Sequence, residues 1–375
     1  MLVVGVASCT GATTPDRCAS VDAGNADLCL RLNHLQFLGT HNSYHVEPSR
    51  ELYAALRGVQ PGWGENLAYT HRPLREQLGA LKIRQLELDV FADPRGGHYA
   101  RPAGRRLIGQ PPALEDERMA QPGFKVLHVQ DVDYQSRCPT LVSCLEEAKR
   151  WSQANPSHLP VLILVEVKDS PAQDSLGFDF TVPLPIRAAE LDALDAEIFA
   201  VLGPEHLLMP DDVRRDHSSL EQAILKDGWP ALAEARGKFI FALDNTGLQR
   251  DEYLRDHPNL DGRVMFVSSP PDQPTAAFVK MNDVLADRAL IRSYVERGYL
   301  VRTRADIAVE EGKSGDTTRR DAALASGAQY ISTDYPETSP FGSGYRVTLP
   351  GAADRPARCN PVSAPRGCRS EWIVE

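Results

Sequence analysis

No apolar run in this 375-residue chain approaches the ~18 residues that a membrane-spanning helix needs. No Cys-x-x-Cys pair occurs, so the cysteines lack the spacing of a structural zinc site. A basic excess is also missing. Lys+Arg total 41 against 51 for Asp+Glu, a net charge of −10, and no cationic face of the kind nucleic-acid binders use is evident. No Gly-x-Gly-x-x-Gly follows the first strand candidate, which lowers the case for a dinucleotide cradle. Internal repeats and low-complexity tracts are absent. What remains, 42% hydrophobic and 25% charged, is an ordinary globular composition. The length suits one large α/β domain with insertions, or two ordinary domains.

Seven cysteines are present: Cys9, Cys18, Cys29, Cys138, Cys144, Cys359 and Cys368. Cys9 follows a short apolar stretch ending Val6-Ala7-Ser8, which resembles the lipobox of bacterial lipoprotein signal peptides. The basic segment that normally precedes such a stretch is missing. With Cys9 as the lipidated residue, six cysteines remain in three sequence-local pairs: 18 with 29, 138 with 144, 359 with 368. Three short-loop disulfides fit an exported protein, anchored through Cys9 or secreted. The plain alternative is seven reduced cysteines in a cytosolic protein. The expected organisation is an export segment and linker over 1–30, one barrel domain over 31–340, and an irregular tail over 341–375.

Short apolar runs of β type alternate with longer amphipathic stretches. The runs are 35–38, 83–90, 125–129, 161–167, 238–243, 263–267, 299–303 and 329–332; the helical stretches include 141–151, 188–202, 219–235, 283–297 and 317–326. Strands alternating with helices predict a parallel sheet, and eight repeats favour a closed (β/α)8 TIM-type barrel. Pro/Gly-rich insertions at 92–123 and 169–185 follow strand candidates, which puts them over the C-terminal face.

Chemistry in a barrel sits at the C-terminal ends of the strands. The first run leads into Gly39-Thr40-His41-Asn42-Ser43-Tyr44. The second ends in Glu87-Leu88-Asp89, the third in His128, the fourth in Glu166-Val167-Lys168, the fifth in Asp244 and the eighth in Asp334. Residues two apart on a strand share a face. Glu87 and Asp89 therefore point one way while Leu86, Leu88 and Val90 point the other. With the apolar set against the helices, both carboxylates face the barrel axis. Glu166 and Lys168 likewise share a face with Leu162 and Leu164.

Three carboxylates converging in a confined space are costly unless protonated, paired or bound to a cation. A hard divalent ion meets the need, Ca2+ ahead of Mg2+ and both ahead of Zn2+, with Asn42 adding a neutral oxygen. His41 and His128 have the chemistry of a general base and general acid for a phosphodiester. Lys168 is placed to neutralise a phosphate oxygen.

Taken singly, each feature has a plainer explanation. Glu87-x-Asp89 reads as a solvated strand end, His41 as a capping or core histidine, and Lys168-Asp169 as a charged loop. Asp244 and Asp334 read as helix N-caps, a reading favoured for Asp334 before Tyr335-Pro336. His34, His45, His71 and His98 read as structural or surface residues, with His45 and His71 able to line a pocket. The ordered combination is what carries weight.

That combination resembles the phosphatidylinositol-specific phospholipase C superfamily, and within it the bacterial calcium-dependent group. The carrying stretches are Gln36-Phe37-Leu38-Gly39-Thr40-His41-Asn42-Ser43-Tyr44-His45, Gln85-Leu86-Glu87-Leu88-Asp89-Val90, Val126-Leu127-His128, and the run from Leu162 to Lys168. The resemblance extends over about residues 31–337. It implies that His41 is the general base, His128 the general acid, and Asn42, Glu87, Asp89 and Glu166 the calcium ligands. The metal-free bacterial branch places an arginine where calcium would sit, whereas this sequence has carboxylates. The resemblance also implies attack of the inositol 2-hydroxyl on phosphorus, giving a cyclic inositol phosphate and diacylglycerol. Lys168, Asp244 and Arg304 are the substrate-binding candidates. The expected partner is a phosphoinositide lipid, met at a membrane surface peripherally or through a lipid anchor by a monomer, with no nucleic acid. Two rivals are a glycerophosphodiester phosphodiesterase, which usually carries His-Arg where this chain has His41-Asn42, and a catalytically dead lipid-binding barrel.

Overall fold

The computed structural model describes residues 18–59, 64–172, 177, 179–307 and 309–375. The Cys9 lipidation segment lies outside the described residues.

Runs such as Val161–Val167 are apolar on both faces, and a strand of that kind is stable only when covered on both sides. The strands are β1 (Leu35–Thr40), β2 (Gln85–Phe91), β3 (Lys125–Val126), β4 (Val161–Val167), β5 (Phe239–Leu243), β6 (Met265–Val267), β7 (Phe278–Lys280), β8 (Leu300–Arg304), β9 (Tyr330–Thr333) and β10 (Ala357–Cys359). Eight of them run parallel in the order β6-β5-β4-β2-β1-β9-β8-β7. The two edges meet at one bridge, Ser268 opposite Phe278, and Ser269 N donates to Phe278 O at 3.1 Å. The result is a nearly closed eight-stranded TIM-type barrel. Gly39 is required where β1 passes β2, because a Cβ there would lie 2.0 Å from Gln85 Oε1.

Two strands differ from expectation. The 125–129 run is not a barrel strand: β3 has two residues and pairs antiparallel with β2 as an excursion. The missing barrel strand is β7. Its three residues carry too little period-2 signal to stand out after Pro270-Pro271-Asp272. The helical expectations fare better. Helices span Leu141–Ala154, Ala188–Leu202, Val284–Glu296 and Thr318–Ser326. The 219–235 stretch is instead two helices, Leu220–Lys226 and Leu232–Ala235, separated where Gly228 takes a positive φ of 71° and Pro230 follows.

The N-terminal end of the barrel is closed by Arg84, which is fully buried. It lies over the Trp151 ring and donates from Nε to Glu375 Oε1 at 2.7 Å. Disulfides join Cys18–Cys29, Cys138–Cys144 and Cys359–Cys368. Within the tail, β10 pairs antiparallel with β1. On the C-terminal side, Leu52 and Leu56 of the helix Arg50–Val59 pack with Val132 and Tyr134. Leu107, Leu114 and Phe180 from the two long insertions join this cluster. The insertions thus cover one side of the face where the strands end.

Candidate active site

After β1 the chain turns sharply. Asn42 takes a positive φ of 45°, a conformation asparagine tolerates better than most residues. Ser43 locks the turn onto β2: its N donates to Glu87 O at 2.9 Å, and its Oγ accepts from Glu87 N at 2.8 Å. His41 is thereby held at the barrel mouth. Its Nδ1 lies 2.9 Å from Asp334 Oδ1, and Arg304 Nη1 lies 3.2 Å from its Nε2. Because guanidinium can only donate and carboxylate accepts, these partners assign the proton to Nδ1 and leave Nε2 unprotonated, its lone pair facing the Arg304 N–H. Burial lowers the His41 pKa well below 6.5, and the Arg304 and Arg302 charges lower it further. The ring is a neutral base at neutral pH. His71 donates from Nε2 to the His41 carbonyl at 2.9 Å, and burial takes His71 down to about 4.

The acids form a nest beside it. Asp89 stands opposite Glu166 in the β2/β4 register, and one oxygen from each of Glu87, Asp89 and Glu166 falls within a 4.8 Å group. Asn42 Nδ2 donates to Tyr69 OH at 3.1 Å, which leaves Asn42 Oδ1 buried with no hydrogen-bond partner. Both Asp89 oxygens are also buried without a directed hydrogen bond, although Lys168 Nζ approaches Oδ2 to 3.0 Å. Lys168 also lies 2.8 Å from Glu166 Oε1. Burial pushes Glu87 up to about 8, against the pull of Arg302, and Asp89 up to about 7, against Lys168. Glu166 is more open: burial raises it, but Lys168 and Lys280 bring it below the ordinary range. The grouped carboxylates of Glu87, Asp89 and Glu166, and the unpartnered Asn42 Oδ1 on the turn after β1, are hard oxygen donors of the kind a Ca2+ ion takes.

His128 reaches the site from the excursion after β3. Its Nδ1 pairs with Asp133 Oδ2 at 2.7 Å, and the same oxygen meets His45 Nε2 at 2.8 Å. His45 Nδ1 faces Tyr69 O at 2.9 Å, and its ring stacks on Tyr69. His128 lines a cavity of about 410 Å3 with Glu166, Lys168, Asp169 and Asn245.

The structure therefore brings together His41, Asn42, Glu87, Asp89, Glu166, Lys168 and Arg304, with His128 joined through Asp133, His45 and Tyr69. Asp244 lies alongside, paired with Lys280. Three expectations are corrected. His128 sits on a loop, not at the end of a barrel strand. Asp334 caps no helix; it binds His41 and Arg304. Asp244 also caps none. His45 and His71 are buried polar groups at the site, in keeping with the pocket position left open for them. Sequence reasoning missed Asp133, Arg302, Lys280 and Tyr69. Arg302 shares a strand face with Arg304, a parity signal that was there to be read. Asp133 stands in a loop, where no periodicity announces it.

Residues 30–361 match the sequence profile of a family described as phosphoinositide phospholipase C, Ca2+-dependent. No curated protein matches the chain. Among solved structures, the apo form of a calcium-dependent phosphoinositol-specific phospholipase C from a Gram-negative bacterium, Pseudomonas sp., is similar at a TM-score of 0.51 and 15% identity. That match covers 86% of this chain and 96% of the other, and it shows a shared fold. A Ca2+-dependent phosphatidylinositol-specific phospholipase C from Streptomyces antibioticus gives a TM-score of 0.49 at 18% identity, covering 82% and 95%.

Proposed function

The chain belongs to the Ca2+-dependent phosphoinositide phospholipase C family, a group of phosphoric diester hydrolases, and on that premise we propose a His41/His128 cleavage of phosphatidylinositol-type lipids. The products are a cyclic inositol phosphate and diacylglycerol. His41 takes the proton of the inositol 2-hydroxyl at Nε2 as that oxygen attacks phosphorus. The bond from phosphorus to the glycerol oxygen breaks, and His128 gives its Nε2 proton to that oxygen. Asp334 holds His41 in the Nδ1–H tautomer that a base at Nε2 requires; Asp133 accepts from His128 Nδ1–H, so the acid is the imidazolium, whose second proton sits on Nε2 and which becomes neutral on giving it up. The nucleophile and phosphorus belong to one molecule, so the site needs only to orient them.

Asn42, Glu87, Asp89 and Glu166 would hold the calcium ion, which when bound supplies positive charge to the developing phosphorane oxygens and to the attacking hydroxyl. Arg304, beside His41, and Lys168 and Asp244 would contact the phosphate and the inositol hydroxyls. A lipid substrate is supported by apolar side chains exposed beyond the strand ends: Val182 after β4, Leu248 after β5, Ile307 after β8 and Phe341 after β9. Such side chains suit contact with a lipid surface. Export, with or without a lipid on Cys9, is supported by the three disulfides.

The observation that carries this reading is the neutral His41, unprotonated at Nε2, at a barrel mouth where buried Asn42 and Asp89 oxygens lack a directed hydrogen bond. Phosphorus NMR on phosphatidylinositol vesicles tests it. A cyclic phosphate resonance is expected with Ca2+ and none in excess chelator. Full turnover in chelator, or release of glycerol phosphate without a cyclic product, overturns it.

A further inference from the structure

Four cations stand among the acids of this site, and one differs from the rest. Arg302 pairs with Glu87 but is also fixed by Ser332 Oγ at 2.9 Å and Asn282 Oδ1 at 2.5 Å. Arg304 is fixed by Asp334 and His41. Lys280 pairs with Asp244, outside the proposed ligand set. Lys168 alone bridges two of the acids proposed to hold calcium, 3.0 Å from Asp89 and 2.8 Å from Glu166. Among the described residues its ammonium has no third polar partner. Its side chain is 24% exposed and lines the cavity that His128 also lines.

A calcium ion coordinates carboxylate oxygens at about 2.4 Å. Held by the oxygens that Lys168 now touches, it would leave two like charges a few ångströms apart across a poorly hydrated gap. Both cannot stay. We propose that Lys168 is an exchange cation: it occupies the ligand oxygens when calcium is absent, and calcium displaces it into the cavity, where its charge becomes available to an anionic substrate. The flexible four-carbon stem of lysine permits this swing, whereas Arg302 is tied at several points. The inference rests on the assignment of Asn42, Glu87, Asp89 and Glu166 to calcium. Two consequences follow. Lys168 weakens calcium binding, and by linkage calcium strengthens the binding of an anion in the cavity.

Calorimetric titration with CaCl2 tests this on the wild type, K168Q and D89N. K168Q is expected to bind calcium about tenfold tighter or more, roughly 1.4 kcal/mol, and D89N to lose most binding. In the wild type, mass spectrometry after brief acetylation should show the Lys168 amine labelled faster in calcium than in chelator. Unchanged or weaker calcium binding by K168Q overturns the exchange while leaving the calcium site intact. Labelling of Lys168 that calcium leaves equal or slows does the same, and this arm needs no variant to fold. Calcium binding that D89N does not affect overturns the site assignment itself, and the exchange with it.

Discussion

Replacing Asp89 by asparagine should move stability in opposite directions with and without calcium. Asp89 is fully buried, and burial raises its carboxyl from the ordinary 3.8 to about 7, even with Lys168 close by. The folded protein therefore keeps a proton that the unfolded chain has lost between about pH 4 and 7. Stability of the calcium-free protein falls as pH rises through that window, and the full penalty applies above it. Three powers of ten in a proton equilibrium correspond to roughly 4 kcal/mol. That is a ceiling, because the asparagine variant also deprives Lys168 of a partner and neighbouring groups relax; a gain of about 1–3 kcal/mol is expected at pH 8. Calcium reverses the order. At a hundredfold excess over Kd a ligand stabilises the folded state by about 2.7 kcal/mol, which the wild type should gain and D89N should not. Urea unfolding followed by tryptophan fluorescence, in chelator and in calcium at pH 5 and pH 8, measures all of this. The advantage of D89N in chelator should shrink at pH 5. A D89N protein less stable than wild type in chelator at pH 8, or stabilised by calcium to the wild-type extent, would refute the reasoning.

Two further outcomes are expected. H41A and H128A should each lower kcat by about 10^2–10^4 with calcium affinity close to wild type, and initial rates with calorimetry separate the two effects; a variant within a few-fold of wild-type rate removes that histidine from the chemistry. At the opposite end of the barrel, E375Q weakens the pairing with buried Arg84 and should destabilise the protein by about 1–3 kcal/mol. Burial alone would raise the Glu375 carboxyl, but Arg84 and the Leu159 N–H hold it below the ordinary range. The folded value is thus the lower one, so this contribution is present above about pH 4.3 and is lost as pH falls through the folded value; stability profiles of wild type and E375Q should converge in acid.

Much of the barrel was legible because its strands are long enough to show a pattern. The runs behind β4 and β5 are largely apolar on both faces, β2 alternates apolar and polar residues, and all stand apart from the amphipathic helices between them. The period-2 rule also placed Glu87 and Asp89 on the inner face, where the structure has them. It failed where strands were short or the chain left the barrel. β7 has three residues, and without it Lys280 had no position. His128 was assigned to a barrel strand, yet it reaches the site only because β3 folds back antiparallel on β2 and the loop closes through Val129 and Asp133. Asp334 was read from its neighbours, and a residue before Tyr-Pro looks like a cap. Its actual role depends on Arg304 and His41, thirty and nearly three hundred positions away, a distance no local rule spans. Asp133 was invisible for the same reason.

The bridge between Cys138 and Cys144 fastens the segment just past Asp133 to the first turn of the helix Leu141–Ala154. Arg137, next to it, reaches across to the backbone of Tyr44 and His71. Among the described residues no disulfide joins the His41 turn, which is built on β1 itself. Reductants would therefore act unequally on the two imidazoles, slackening the mount of one while the other keeps its place.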